Sequence, residues 1–295
     1  MDIKNLLEKL SLSDLPVALG GCRSDGINFE CCEYNITVFD DKREESVHEF
    51  EDDLIKIHHS SFSETNPAIL KQFENLQILS DNEWKLRIFL SGIKGRKTKI
   101  SKSYTQSCLV DAGIYATKAK EGIKVSDLLA PVWLKCGAFF LADAISSLNS
   151  RRPSPTHMLD SIRGFEKNRI NESFATVHQC LGMERATTSL LTRMVKSTAG
   201  FSDIVEANAH SRIIERKYNY LIEHSLLSDC YFYLGYVNRN NIVKIKDSLH
   251  RNLEFIHILR VALDTESDPF VVENQSVNLL NAVNDLLSTI KSQSL

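Results

Sequence analysis

Proline lacks the backbone donor a helix needs, and its ring clashes with the preceding turn, so a long stretch without proline permits long helices. The six prolines of this 295-residue chain stand at positions 16, 67, 131, 153, 155 and 269. The span from Thr156 to Asp268 has none, and its glycines are sparse. Apolar residues there recur at helical intervals. Ile242, Ile245, Leu249, Leu253, Ile256, Leu259 and Leu263 form one stripe close to heptad spacing; Val277, Leu280, Val283, Leu287 and Ile290 form another. Both read as seams of a helix bundle, with a homodimer face as the alternative. Cys108–Glu121 and Val125–Leu148 carry the same period.

The N-terminal third has a different rhythm. Asp2–Leu10 reads as a short amphipathic helix and Pro16–Leu19 as a buried strand. Tyr34–Phe39 alternates Tyr34, Ile36 and Val38 against Asn35, Thr37 and Phe39, the period of a strand. Ser46–Phe50 and Leu54–His59 read as a hairpin across Glu51-Asp52-Asp53, and Asn66–Phe73 as a helix with Pro67 in its first turn. Leu76–Leu79 and Trp84–Leu90 read as further strands, with a helical ending as the alternative for the latter. The expected class is α+β: a mixed sheet with helices over residues 1–100, then an all-α bundle over 101–295.

Composition narrows the function classes. Apolar residues are 43% and charged residues 25%, and the net charge of −3 exerts no whole-molecule pull toward nucleic acid or an anionic membrane. No run approaches the roughly 18 apolar residues of a membrane span, so no membrane partner is expected. The acid-bearing start lacks a secretory apolar stretch. The seven cysteines form no C-x-x-C spacing, and adjacent Cys31 and Cys32 read as reduced thiols. A cytoplasmic location is the expectation. The cations Lys85, Arg87, Lys94, Arg96, Lys97, Lys99 and Lys102 lie in a stretch free of acids. With Gly92 and Gly95 among them, Lys85–Lys102 reads as a flexible basic loop able to meet a polyanion.

Residues 15–41, LPVALGGCRSDGINFECCEYNITVFDD, combine a short strand, a Gly-Gly turn, a helix start and an alternating strand. This arrangement resembles the active-site strand pair of the DNA polymerase β-type nucleotidyltransferase superfamily, in particular its kanamycin-type and minimal members. The likeness covers the first 60 residues well and residues 104–165 loosely. It implies a nucleoside triphosphate held at Gly20, Gly21, Cys22, Arg23 and Ser24, and two Mg²⁺ ions held by three carboxylates. The positions matching those carboxylates are Glu33, Asn35 and Lys56, whose formal charge sums to about zero. Two divalent cations need carboxylate oxygens and the charge to offset their repulsion. The first expectation is therefore a catalytically degenerate, cofactor-free protein serving as a nucleotide-binding or interaction module. The alternative is an active Mg²⁺-dependent transferase acting on a small molecule, a protein hydroxyl or an RNA end, with Glu33, Asp40 and Asp53 as replacement ligands.

Overall fold

The computed structural model describes residues 3–206, 210–252, 254–266 and 268–292. The chain divides into two compact units. The first holds residues up to 103 together with the distant segment 210–217; the second holds the remainder.

The first unit is built on a five-stranded mixed sheet. Its elements are α1 (Ile3–Lys9), β1 (Val17–Gly20), α2 (Gly21–Asp25), β2 (Tyr34–Phe39), β3 (Glu45–Phe50), β4 (Asp53–Ser60), α3 (Pro67–Gln72), β5 (Gln77–Ser80) and α4 (Lys85–Gly95), followed by the start of α5 (Lys97–Lys124). The strand order is β3-β4-β2-β1-β5. β4 runs parallel to β2, and the other neighbours are antiparallel. The alternation read from β2 decides the two faces. Val17, Leu19, Ile36, Val38, Ile55 and Ile57 pack with Leu6 and Leu7 of α1. Ala18 and Phe39 pack with Leu70, Phe73, Leu86, Ile93 and Ile100 of α3, α4 and α5. Removing each of these Val, Leu, Ile and Phe side chains from water contributes about 1.5–3 kcal/mol. Asn66 caps α3 by accepting from the Ala68 N–H at 2.9 Å, with Pro67 in the first turn as expected. A fully buried lysine, Lys71, donates to Glu74 and to Ser101 Oγ at 2.8 Å and so ties α3 to α5.

Two expectations fail in this unit. Trp84–Leu90 is not a strand, and Lys85–Lys102 is not a flexible loop: α4 and the first turns of α5 occupy it. Leu86 and Ile93 are seven apart and both buried, a helical spacing that Gly92 and Gly95 mask. Asp81 starts α4 by accepting from the N–H groups of Leu86 (3.2 Å) and Arg87 (2.9 Å).

The second unit is helical: most of α5, α6 (Ala130–Leu148), α7 (Met158–Arg163), α8 (Arg169–Glu172), α9 (Phe174–Leu181), α10 (Thr188–Glu206), the end of α11 (His210–Glu223), α12 (Leu227–Ile245), α13 (Glu254–Ala262) and α14 (Pro269–Ser292). The stripe from Ile242 to Leu263 does not lie on one helix. α12 ends at Ile245, a 3-10 turn covers Leu249–Arg251, and α13 begins at Glu254, although Ile242, Leu249, Ile256, Leu259 and Leu263 are all buried. Leu253 lies outside the described residues. In α14 the buried seam is Val272, Ser276, Leu279, Val283, Leu286 and Ile290, so of the five expected positions only Val283 and Ile290 face the core. α6 is long and apolar enough to cross a membrane by composition, which the sequence reading missed, but 89% of that window is buried inside the fold.

α6 carries two charges into this core. Lys135 Nζ donates to the carbonyls of Leu181 (2.8 Å), Leu263 (2.6 Å) and Asp264 (2.8 Å) and to Tyr231 Oη (2.8 Å); burial lowers its pKa to about 7. Asp143 pairs with Arg239 of α12 at 2.7 Å and accepts from Tyr236 Oη at 2.7 Å, while the Arg239 guanidinium lies over the Phe140 and Tyr236 rings. Removing one partner of a buried pair leaves the other charge uncompensated. Asp143→Ala is therefore expected to lower stability by about 3–5 kcal/mol, and Asp143→Ala with Arg239→Met to recover most of it. Urea unfolding followed by circular dichroism at 222 nm, a helix wavelength, measures both.

Candidate functional site

The positions that the sequence reading aligned with the metal carboxylates, Glu33, Asn35 and Lys56, lie in the first unit, where β2 and β4 run side by side. The parallel register pairs Asn35 directly with Lys56, and antiparallel β3 places Val47 opposite Lys56 and Glu45 opposite His58. Glu33, two residues before Asn35, accepts from Asn35 Nδ2 through Oε1 at 3.2 Å. Its other oxygen, Oε2, meets Lys217 Nζ at 2.7 Å, with both side chains about nine-tenths buried. Burial pushes the Glu33 carboxyl up, but the Lys217 charge and hydrogen bond outweigh it and leave its pKa lowered.

Every other charge around the strand pair has a partner. Lys56 Nζ lies 3.2 Å from Glu45 Oε2, and His58 Nδ1 donates to Glu45 Oε1 at 3.0 Å. His58 also lies 3.4 Å from Asn35 Oδ1. Its burial, aided by Lys56, lowers its pKa against the pull of Glu45. Asp53 sits 3.9 Å from Arg23 and 4.0 Å from Arg216. Arg216 further donates to the Asp52 carbonyl at 2.6 Å. Four cations, Lys56, Lys217, Arg23 and Arg216, thus face three carboxylates, Glu33, Glu45 and Asp53. A family metal site has the opposite balance. Two like charges 4 Å apart repel by about 4 kcal/mol even at an effective dielectric constant of about 20, so an Mg²⁺ ion beside Lys56 would meet a strong penalty.

Of the replacement ligands, Asp40 is not brought to Asp53. Asp40 lies five residues beyond Asn35, and Asp53 three before its ladder partner Lys56. At about 3.3 Å per residue they stand roughly 26 Å apart along the strands. Asp40 instead binds His59 Nδ1 at 2.9 Å and, through that bond and Lys42, keeps a lowered pKa despite burial. His58 and His59 point to opposite faces, as adjacent strand residues must.

The Gly-Gly turn is present, with its side chains turned inward. Arg23 donates from Nε (3.0 Å) and Nη2 (2.6 Å) to the Cys32 carbonyl and stacks over Tyr34 at 3.8 Å. The Cys22 thiol is buried, and its bond with Cys32 and its desolvation push its pKa up, so it stays protonated. Ser24 Oγ donates to the Gly21 carbonyl at 2.9 Å. Gly21 has φ +75°, and a Cβ there would meet Asn35 Nδ2 at 2.5 Å. Its backbone and the Asn35 amide pressed against it account for a glycine at this position without any ligand.

Lys217 and Arg216 were invisible to sequence reasoning: they lie more than 180 residues from Glu33 and no spacing rule connects them. Lys217→Ala is expected to strand Glu33 as a buried charge, raising its pKa and costing about 3–5 kcal/mol at pH 7. In the native chain the stabilisation from Glu33 is present above the ordinary glutamate pKa of about 4.3 and fades as pH falls through its lower folded value. Urea midpoints measured from pH 7 down to 3 should show that acid loss in the native chain and not in Lys217→Ala.

No family model matches the chain, and no curated protein matches it in sequence. A nucleotidyltransferase-like protein from Exiguobacterium sibiricum is similar in structure, with 10% identity over 86% of this chain and 89% of that one at a TM-score of 0.34. A score that low carries no argument, so the functional reading stands on the strand pair itself.

Proposed function

We propose that this chain is a catalytically silent protein of the nucleotidyltransferase type, serving as an interaction module without two-metal chemistry. What supports this reading above all is the Asn35–Lys56 pairing, with Glu33 and Glu45 already held by Lys217 and Lys56. In-line phosphoryl transfer relies on metal ions and positioning to offset charge on the reacting oxygens. Here the carboxylates that would hold the metals are neutralised by side chains. A nucleoside triphosphate at the turn would have to draw Arg23 away from the Cys32 carbonyl or Lys56 away from Glu45. The interaction reading is accordingly favoured over nucleotide binding. A reducing, cytoplasmic setting suits seven buried free thiols.

Incubation with labelled ATP or GTP, Mg²⁺ and candidate acceptors is expected to give no nucleotidyl transfer. Calorimetric titration of either nucleotide should give no Mg²⁺-dependent heat. Transfer that EDTA abolishes would overturn the reading. Rebuilding the acids with Asn35→Asp and Lys56→Asp should create measurable Mn²⁺ binding, absent from the native chain, in calorimetric or paramagnetic titration.

A further inference from the structure

The basic stretch of the sequence becomes a fixed surface once it is seen as helix. Leu86, Ile93 and Ile100 are buried and hold α4 and the start of α5 against one face of the sheet. The remaining sides face solvent. Lys85, Arg87, Lys94, Arg96, Lys97, Lys99 and Lys102 are all exposed. Arg87 and Lys94 are seven apart, two helical turns, and therefore share one exposed flank of α4, beside the buried line of Leu86 and Ile93. Few acids answer them. Glu83 pairs with Lys85, and Glu74, already bound to buried Lys71, lies 3.8 Å from Lys97. Among the described residues no acid pairs with Arg87, Lys94 or Lys99. The whole chain has a net charge of −3, so this positive face is a local concentration.

At the edge of the same face stands Trp84. It precedes α4 with φ +62°, a left-handed conformation that costs energy for a large side chain, and the residue is 62% exposed. Ile88, one turn on, is 71% exposed. The Arg87 guanidinium stacks 4.5 Å from the indole centroid. A planar cation on a solvent-facing indole, with Lys94 and Lys99 further along the chain, supplies the two elements that hold unpaired nucleotides: a stacking surface for bases and cations for the phosphates.

We propose that the outer face of α4 and the first turns of α5, from Trp84 to Lys102, binds single-stranded nucleic acid. Arg87, Lys94 and Lys99 neutralise successive phosphates, and Trp84 stacks a base. The exposed indole favours a single strand over a duplex, whose bases are already stacked, and over an acidic protein, which offers no bases. The proposal names a partner for the interaction module and rests on that reading. Its assay is separate, because oligonucleotide capture is followed without metal and nucleotidyl transfer with it.

The test is fluorescence anisotropy of fluorescein-labelled oligouridylate and oligothymidylate titrated with the full chain in EDTA, over a range of salt concentrations. Binding should weaken with salt, and about three phosphate contacts would give a slope of log K against log salt near −2. The variant Arg87→Glu/Lys94→Glu/Lys99→Glu should lose at least about tenfold in affinity and flatten the slope. Trp84→Asn, which keeps a residue tolerant of positive φ, should weaken binding roughly tenfold. The other tryptophan, Trp133, is fully buried, so quenching of indole emission on binding reports Trp84. All the substituted side chains are exposed, and an unchanged urea midpoint shows that the variants fold. The proposal is overturned if neither oligonucleotide binds at low salt or if the triple variant binds as well as the native chain. Tighter capture of duplex DNA or of phosphatidylserine vesicles than of either oligonucleotide would also overturn it.

Discussion

A carboxylate that leaves water must find a cation, and in the first unit Glu33 finds Lys217 at 2.7 Å. Much around the strand pair follows from that contact. It draws residues 210–217 onto a sheet otherwise built from the first hundred residues. It brings Arg216 within reach of Asp53 and the Asp52 carbonyl, and Arg212 to Glu49 at 2.7 Å. The last of these pairs is solvent-exposed and contributes at most about 1 kcal/mol. The buried pair dominates, because breaking it leaves a charge where water cannot follow.

The same contact is part of a wider balance of charge around the strand pair. A metal site is a cluster of like charges that only the ion makes tolerable. In this sheet the carboxylates are met by protein cations: Lys56 stands beside Asn35 and neutralises Glu45, and Lys217 neutralises Glu33. Such a network is complete as it stands.

Much of the first unit was legible from its sequence because its signals are local. The alternation in Tyr34–Phe39, the turn between the hairpin strands and Pro67 after Asn66 each act within a few residues, and each element formed close to where it was read. α4 was misread because its glycines suggested a loop, while its capping residue, Asp81, lies several residues before its first turn. The stripe from Ile242 to Leu263 has the period of one helix, yet the chain satisfies the same burial with two helices and a 3-10 turn. Periodicity reports which residues are buried more faithfully than where a helix stops. The seam of α14 shows a related ambiguity: Leu279-Leu280 and Leu286-Leu287 are adjacent apolar pairs, and only packing decides which member of each turns inward. Of the candidate site, the strand positions were readable. Their counter-charges were not, since Lys217 joins them only through the tertiary fold.

The discontinuity of the first unit also has a consequence for synthesis. On the ribosome the sheet is complete once residue 103 has emerged, but the cation for Glu33 is encoded about 110 residues later. At roughly 5–20 residues per second, that is a wait of about 6–20 seconds. During this time the nascent sheet carries an acidic strand pair without its partner. Until residue 217 is made, Glu33 has no Lys217 to pair with, so the sheet reaches its final balance of charge only after the second unit is well under way.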